Sequence, residues 1–310
     1  MNTYNYSIII PHKNIPDLLQ RCLNSIPERE DIQIIIIDDN SDPEIVDFSS
    51  FPGQNKENIE IVYLKTGGGA GFARNLGLRI AKGKWILFSD ADDFFNDCLN
   101  TVLDEYIDDP ADIVFFKNNS VHNVSNEILK RGEWLNVFVD IFLTNTRKGE
   151  KLLRYLFVVP WTKLIKKDLI DKYSIKFEET IIHNDIAFSY LSGFFANSIK
   201  ADSRELYCWV YRENSLSQQN KEPAIILDKI YVYAKAITFY KKLHQGIRLK
   251  KMLLEMYFYL CLFYKNNKLY FKKAKNILLD IGFTNIEIYF GLIISLLLNF
   301  YKGVKNDQNK

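Results

Sequence analysis

Short apolar runs alternate with longer segments of helical spacing along roughly the first 120 residues. The apolar runs lie at 6–10, 32–37, 59–64, 84–88 and 112–116, and the segments with helical spacing at 15–26, 72–81 and 99–107. Runs that are apolar at nearly every position are typical of strands buried on both faces of a parallel sheet. The pattern therefore predicts an α/β fold, in which a Rossmann-like, mixed but mostly parallel sheet lies between helices.

The pattern changes near residue 220. Residues 225–243, 247–264 and 286–301 are long, aromatic-rich apolar stretches with lysines between them, which predicts three or four helices. The mostly apolar stretch 288–298 is shorter than the roughly 20 residues that a membrane span requires. We therefore expect two regions, an α/β domain over 1–220 and an all-helical region over 221–310.

Charge separates the same two regions. The net charge of the 310 residues is +2, yet residues 221–310 hold 16 Lys and Arg against 6 Asp and Glu. No basic motif with nucleic-acid spacing appears, so no nucleic-acid partner is expected. Three uses of the tail stay open: packing on the first region, homodimer formation, or contact with an anionic membrane surface. In the last case, lysines 241, 242, 250 and 251 would face lipid phosphates.

Cysteine usage and the start of the chain bear on the compartment. The four cysteines are scattered without a CxxC pair, which argues against a zinc site and a disulfide framework. The first residues carry no basic segment before an apolar core, so no signal peptide is predicted. These features indicate a cytoplasmic protein, with the inner face of the cytoplasmic membrane as a further location if the tail binds lipid.

Two of the predicted strands end in acidic residues. Asp38 and Asp39 follow the run 32–37, and Asp90, Asp92 and Asp93 follow the run 84–88. Aspartate also favours ordinary turns and helix N-caps. However, the carboxyl ends of parallel strands meet at one crevice, and clustered carboxylates need a counter-charge such as a hard divalent cation. The two clusters together favour a ligand site.

The glycine-rich segment 67–71 lies between a strand and a helix and invites comparison with a dinucleotide fingerprint. Its spacing is GGGxG, it follows the third strand and not the first, and the acid that would bind a ribose belongs to a cluster. A glycine-rich turn at a helix N-terminus suits any phosphate-bearing ligand. The segment therefore favours a nucleotide in general over NAD.

These segments resemble the family 2 glycosyltransferases of the GT-A fold. The resemblance covers about residues 5–220 and rests on these segments: 6–14 (YSIIIPHKN), 34–42 (IIIIDDNSD), 71–77 (GFARNLG), 81–93 (AKGKWILFSDADD), 160–164 (PWTKL), 183–188 (HNDIAF) and 211–217 (YRENSLS). It implies an inverting, metal-dependent hexosyltransferase that uses a UDP-sugar. The hydroxyl acceptor would belong to a bacterial surface glycan, such as an O-antigen, a capsule or a lipid-linked oligosaccharide.

The resemblance also implies roles for individual residues. On the donor side it assigns Asp39 to the uracil N3–H, Asp90 to the ribose, Arg74 to the nucleotide, and Pro11, Lys13, Ala91 and Arg212 to the same side. Asp38 would shape the turn that carries Asp39. Asp92 would bind Mn²⁺ or Mg²⁺ across the two phosphates, with Asp93 behind the metal ligand. Asp185 would be the general base, and Trp161 and His183 would lie on the acceptor side.

Some of these residues have structural alternatives. Asp185 could instead be a favourable charge at a helix N-terminus, Trp161 a core aromatic residue, and Arg212 the end of a strand. Lys13 stands where the family usually has an aromatic residue that stacks on the base. Asn184 replaces the usual acid before Asp185, so we expect the pKa of Asp185 to be raised less and the base to be ionised at neutral pH.

Two other functions are weighed against the transferase. A nucleotidyltransferase shares the sheet and the acids, but usually has a glycine-rich loop with a basic residue directly after the first strand, where this chain has 11–14 (PHKN). The changes at Lys13 and Asn184 would fit a catalytically dead nucleotide-sugar-binding protein. No motif identifies the donor sugar or the linkage.

Overall fold

The computed structural model describes residues 4–213, 222–243 and 246–308, with the side chains of 246–249 and 297–308 left aside. The chain divides into two compact units. The first comprises Met1–Thr180 and Asn184–Glu213, and the second Ile181–His183 and Asn214–Lys310. The sequence pattern places this division at residue 220.

The first unit is built on a mixed eight-stranded sheet of order β3-β2-β1-β4-β7-β6-β8-β5. Its strands are β1 (Tyr6–His12), β2 (Ile32–Asp38), β3 (Ile59–Tyr63), β4 (Trp85–Phe88), β5 (Phe94–Phe95), β6 (Ile113–His122), β7 (Lys163–Lys166) and β8 (Ile199–Tyr211). Strands β3, β2, β1 and β4 are parallel, as are β6 and β8, whereas β7 runs antiparallel to β4 and β6. The predicted mixed, mostly parallel sheet is confirmed.

Helices accompany the strands of the first unit. They are α1 (Pro16–Asn24), α2 (Gly69–Ile80), α3 (Leu99–Tyr106), α4 (Glu133–Thr144), α5 (Thr146–Leu156), α6 (Lys167–Tyr173) and α7 (Asp185–Phe195). The core between sheet and helices is rich in isoleucine from β1 and β2. Helix α2 packs closely on β1 at Gly77, where there is no room for a side chain. A Cβ atom added there would lie 2.4 Å from Cγ2 of Ile9. This close packing fixes the start of α2 relative to the ends of the strands.

The second unit is helical where it is described. Its helices are α8 (Pro223–Lys242), α9 (Gly246–Asn266), α10 (Lys268–Ile281) and α11 (Asn285–Gln308). The predicted all-helical C-terminal region is confirmed for these residues. Within the described part of the chain, no helix combines the length and the apolar character needed to cross a membrane.

Candidate active site

The two acid-bearing strand ends lie on either side of β1. Strands β2 and β4 both pair with β1 in parallel, and the register places His12, the last residue of β1, opposite Asp38. The backbone N–H of Asp39 donates to the carbonyl oxygen of His12 at 2.8 Å. Because the three strands run in the same direction, the acids that follow β2 and β4 emerge at the same edge of the sheet.

Asp38 is buried and holds the turn that follows β2. Its carboxylate pairs with Nδ1 of His12 at 2.8 Å and accepts hydrogen bonds from the backbone N–H and the hydroxyl of Ser41 at 3.0 and 2.6 Å. Burial opposes the charged form, but these hydrogen bonds outweigh it and lower the pKa of Asp38. Asp38 therefore orients the loop that carries Asp39.

Asp39 lies against the N-terminus of α2. One carboxylate oxygen accepts from the backbone N–H of Gly68 at 2.6 Å, and both oxygens lie 3.1 Å from the N–H of Gly69. The ammonium of Lys13 is 3.6 Å from the same carboxylate, with 52% of the Lys13 side chain exposed. The glycine segment thus forms hydrogen bonds with the aspartate loop, while Lys13 extends from β1 toward solvent.

Arg74 joins three segments. From α2 its guanidinium donates to the side-chain oxygen of Asn184 at 2.8 Å and forms an ion pair with Asp90. The guanidinium lies 5.4 Å from the ring centre of Phe177, and only 5% of Arg74 is exposed. Its buried Nε has no hydrogen-bond partner among the described residues. Arg74 therefore links the acid loop after β4 to the start of α7, where Asp185 lies.

Asp92 is partly buried and carries an ion pair with Arg212. Nε and Nη2 of Arg212 both lie 2.8 Å from one carboxylate oxygen of Asp92, and Arg21 donates to its backbone carbonyl at 2.7 Å. Burial and the neighbouring Asp90 charge raise the pKa of Asp92. A second cation near Asp92 would relieve the same repulsion.

The donor atoms at Asp92 suit a hard cation. Among the described residues no group of three or more His, Cys, Asp or Glu side chains could hold a metal ion by itself. Mg²⁺ is usually held by one or two carboxylates plus substrate phosphates, and not by an all-protein cage. Asp92, with Asp90 as its like-charged neighbour, fits that incomplete ligand set.

Asp93 has a structural role that the sequence suggested only in outline. It is buried, with the hydroxyl of Tyr207 and the backbone N–H of Val210 donating to its two oxygens at 2.9 and 2.8 Å. Burial raises its pKa well above the usual range, and the charges of Asp92 and Asp90 add to the effect. Asp93 therefore fastens the acid loop to β8.

Asp185 is the first residue of α7 and is partly buried. Burial raises its pKa to about 6, while the charges of Arg74 and Lys163 act to lower it and that of Asp90 acts to raise it. Its carboxylate is therefore mostly ionised at neutral pH and takes up a proton just below it. This is the titration range that a general base needs.

Lys163 lies in the segment 160–164 (PWTKL), but the sequence alone assigns it no role. It is 3% exposed, and its ammonium donates to the carbonyl oxygen of Phe157 at 2.8 Å. The ammonium lies 5.2 and 5.0 Å from the ring centres of Phe115 and Phe157. Burial lowers the pKa of Lys163 to about 7, against the opposing effect of the Asp185 charge. A buried lysine that interacts with Asp185 could not be recognised before the fold was known.

The two residues assigned to the acceptor side, Trp161 and His183, differ in burial and belong to different units. Trp161 is 4% exposed, stacked on Tyr207 with ring centres 5.0 Å apart, and 5.6 Å from the ring centre of Trp209. His183 belongs to the second unit, has φ of 56° and stacks on Tyr233 at 5.6 Å. Of the remaining donor-side residues, Pro11 lies inside β1 and Ala91 is buried between Asp90 and Asp92.

Comparison with known proteins adds a family. The model of the family described as "Glycosyl transferase family 2" matches residues 7–174. The chain is 26% identical over 267 residues to the glycosyltransferase YibD of Escherichia coli K12, covering 82% of this chain and 75% of YibD. The function of YibD is itself uncharacterised.

Solved structures share the fold. The S. aureus TarS 1–349 structure, in complex with UDP-GlcNAc, has a TM-score of 0.60 and 20% identity, covering 89% of this chain and 81% of that one. TarS is a poly(ribitol-phosphate) beta-N-acetylglucosaminyltransferase, 24% identical over 209 residues, which are 65% of this chain and 35% of TarS. The mannosyltransferase PcManGT of Pyrobaculum calidifontis, in complex with GDP-Man and Mn²⁺, has a TM-score of 0.51 and 13% identity, covering 97% and 82%.

Proposed function

Because this chain belongs to glycosyl transferase family 2, and is therefore a glycosyltransferase, we propose that it moves a hexose or N-acetylhexosamine from a UDP-sugar to a hydroxyl group of a bacterial surface glycan, with inversion. The observation that carries the proposal is the double contact of Arg74. One side chain joins Asp90, at the donor end of the sheet, to Asn184, the neighbour of Asp185. Donor-binding acids and a carboxylate of suitable pKa are thereby held in one cluster.

We propose that the nucleotide binds against the loops after β1, β2 and β4. Asp39 still has free lone pairs after accepting from Gly68 and Gly69, and it accepts the uracil N3–H. Asp90, held by Arg74, accepts from the ribose hydroxyls, while Pro11, Lys13 and Ala91 border the base and the ribose. The similarity to TarS with bound UDP-GlcNAc supports uracil as the base of the donor. Guanine is the competing base, because PcManGT, which has a similar fold, binds GDP-Man.

The diphosphate and its metal ion meet at Asp92 in this proposal. Asp92 would hold Mn²⁺ or Mg²⁺, and Arg212, which already contacts Asp92, would turn toward the phosphates. When bound, the ion neutralises the charge that builds up on the leaving diphosphate. The raised pKa of Asp92 supports the assignment, because a group that lacks sufficient counter-charge gains most from a cation.

Asp185 acts as the general base in the proposed reaction. It takes the proton of the acceptor hydroxyl as the acceptor oxygen bonds to the anomeric carbon. The bond from that carbon to the phosphate oxygen breaks on the opposite side, and UDP leaves with the electron pair. The charge of Arg74, and that of Lys163 when it is protonated, favour the ionised form of Asp185, since both oppose the effect of burial on its pKa.

On the acceptor side we propose that Trp161, which is buried, supports the site by packing and does not itself contact the acceptor. Its stacking on Tyr207 and its contact with Trp209 support the β8 strand that also anchors Asp93. His183 directly precedes the segment that holds Asn184 and Asp185, and it is proposed as a contact for the glycan.

The test is the release of UDP from nucleotide-sugars, measured with and without Mn²⁺. We expect slow release from a UDP-sugar that requires the metal, loss of release in Asp92→Asn and in Asp185→Asn, and retention in Asp168→Asn, an exposed acid in the first turn of α6. Release from a GDP-sugar alone would overturn the choice of base. UDP binding without release from any sugar would instead support a catalytically dead binding protein.

A further inference from the structure

Helix α11 is apolar on two opposite faces. Its inner face is buried, with Ile288 0% and Leu292 3% exposed. Its outer face carries a stripe of large apolar side chains, the α11 stripe: Ile286, Tyr289, Phe290 and Ile293, exposed by 81, 44, 62 and 55%. These positions follow the i, i+3, i+4, i+7 spacing of a single helix face. A surface helix of a globular protein normally turns a polar face outward, so the α11 stripe is built to be covered.

Lysines of the neighbouring helix border this stripe. The ammonium of Lys275 on α10 donates to the hydroxyl of Tyr289 at 3.2 Å and lies 4.9 Å from its ring centre. Lys272 and Lys273, also on α10, are exposed. Among the described side chains, none of these three lysines pairs with a carboxylate. The stripe is therefore flanked by positive charge that the second unit leaves uncompensated.

Helix α9 carries a similar apolar face, although its Lys251 lies 3.8 Å from the carboxylate of Glu255. Lys251, Leu254, Phe258 and Lys265 fall on one helix face by their spacing, and Leu254 and Phe258 are 39 and 42% exposed. Apolar side chains thus lie at the middle of the face and lysines at both ends. Long lysine stems can lie along an apolar surface while their charged heads reach the polar layer.

We propose that the α11 stripe and the lysines of α10 bind the surface of an anionic lipid bilayer, with the stripe in the interfacial layer and the lysines on lipid phosphates. Charge complementarity selects this occupant. In a symmetric dimer each stripe would face its own copy and bring the same unpaired lysines together, which is unfavourable. An anionic bilayer accepts apolar side chains and neutralises the lysines at the same time.

The test is co-sedimentation of the full chain with vesicles of phosphatidylcholine, with and without phosphatidylglycerol. We expect binding only to the anionic vesicles. Phe290→Ser with Ile293→Ser should weaken it by at least roughly ten-fold, because each inserted side chain transfers apolar surface out of water. Lys272→Gln, Lys273→Gln and Lys275→Gln should weaken it by roughly five-fold per lysine at low salt.

Matched variants control for exposure and charge. Val124→Ser with Ile128→Ser removes two apolar side chains of the first unit that are each 82% exposed. Lys148→Gln with Lys151→Gln removes two exposed lysines of α5. Both controls should bind as the parent does. The proposal is overturned if the chain fails to sediment, if the controls lose as much as the stripe variants, or if Phe290→Ser with Ile293→Ser changes only the oligomeric mass in light scattering, which would identify a second copy as the occupant.

Discussion

Replacing Asp185 by Asn separates stability from turnover. Burial raises the pKa of this carboxyl from its ordinary value of 3.8 to about 6. Each pKa unit corresponds to about 1.36 kcal/mol, so keeping Asp185 ionised at pH 8 costs the folded protein at most about 3 kcal/mol. Asn has the shape of the protonated acid and lacks the charge. We therefore expect Asp185→Asn to be more stable than the parent at pH 8.

The sign of the pH dependence follows from the direction of the shift. The folded protein holds its proton on Asp185 more tightly than the unfolded chain does. The destabilisation is therefore absent below about pH 3.8, grows between 3.8 and about 6, and is complete above that. The difference in Tm between variant and parent should follow this course and reach up to about 10 °C at pH 8. Turnover should fall by roughly 10²–10⁴-fold above about pH 6, where the proposed base of the parent is ionised, and by less at lower pH, where that base is itself protonated.

The assay is thermal unfolding at pH 4, 6 and 8, beside UDP formation with acceptor present. Asp168→Asn is the matched control, since it also removes an acid from the first turn of a helix but from an exposed position. It should lower stability slightly or leave it unchanged. A variant Asp185→Asn that gains no stability at pH 8, or gains the same at pH 4, would refute the buried-carboxylate reasoning. Unchanged turnover would refute its role as base.

Three further changes test neighbouring groups. Lys163→Met removes a positive charge that acts on Asp185, so the acid limb of the kcat/KM profile should move to higher pH. Lys163→Arg keeps the charge and should leave the limb in place. An unmoved limb in Lys163→Met would contradict the electrostatic interaction between Lys163 and Asp185. Lys13→Tyr should lower the Kd of UDP in calorimetry by roughly five-fold or more, since aromatic stacking on a base is worth about 1–3 kcal/mol, and a higher Kd would show that no base lies there. Tyr207→Phe removes one of two donors to buried Asp93 and should lower the free energy of unfolding by about 1–3 kcal/mol, which an unchanged urea midpoint would disprove.

The parallel half of the sheet is predictable because its strands are continuous apolar runs. Strands β1, β2 and β4 extend at most two residues beyond the predicted runs, and acids follow two of them. The start of α2 lies at Gly69, inside the glycine segment and three residues before the predicted start at 72. Helical spacing begins only where side chains do, so a glycine-rich first turn leaves no periodic signal.

The other half depends on contacts that local patterns do not carry. Strand β7 has four residues and pairs with β4, about 80 positions earlier in the chain. Helices α4 and α5 lie in residues 133–156, where the hydrophobic pattern predicts no element. The ion pair of Asp92 with Arg212 and the burial of Lys163 between two phenylalanines also require the assembled sheet. These features depend on tertiary contacts between residues far apart in the chain, which sequence spacing alone cannot predict.

The central claim is that the aspartates after β2 and β4 hold one nucleotide diphosphate together with a metal ion. The most direct measurement is the Kd of UDP, with and without Mn²⁺, for the parent, Asp39→Asn and Asp92→Asn. Mn²⁺ should tighten UDP binding to the parent. In Asp92→Asn this effect of Mn²⁺ should be lost, while UDP binding without Mn²⁺ stays as in the parent. In Asp39→Asn UDP binding should be weaker both with and without Mn²⁺. Parent-like UDP affinity and Mn²⁺ response in both variants would contradict the claim.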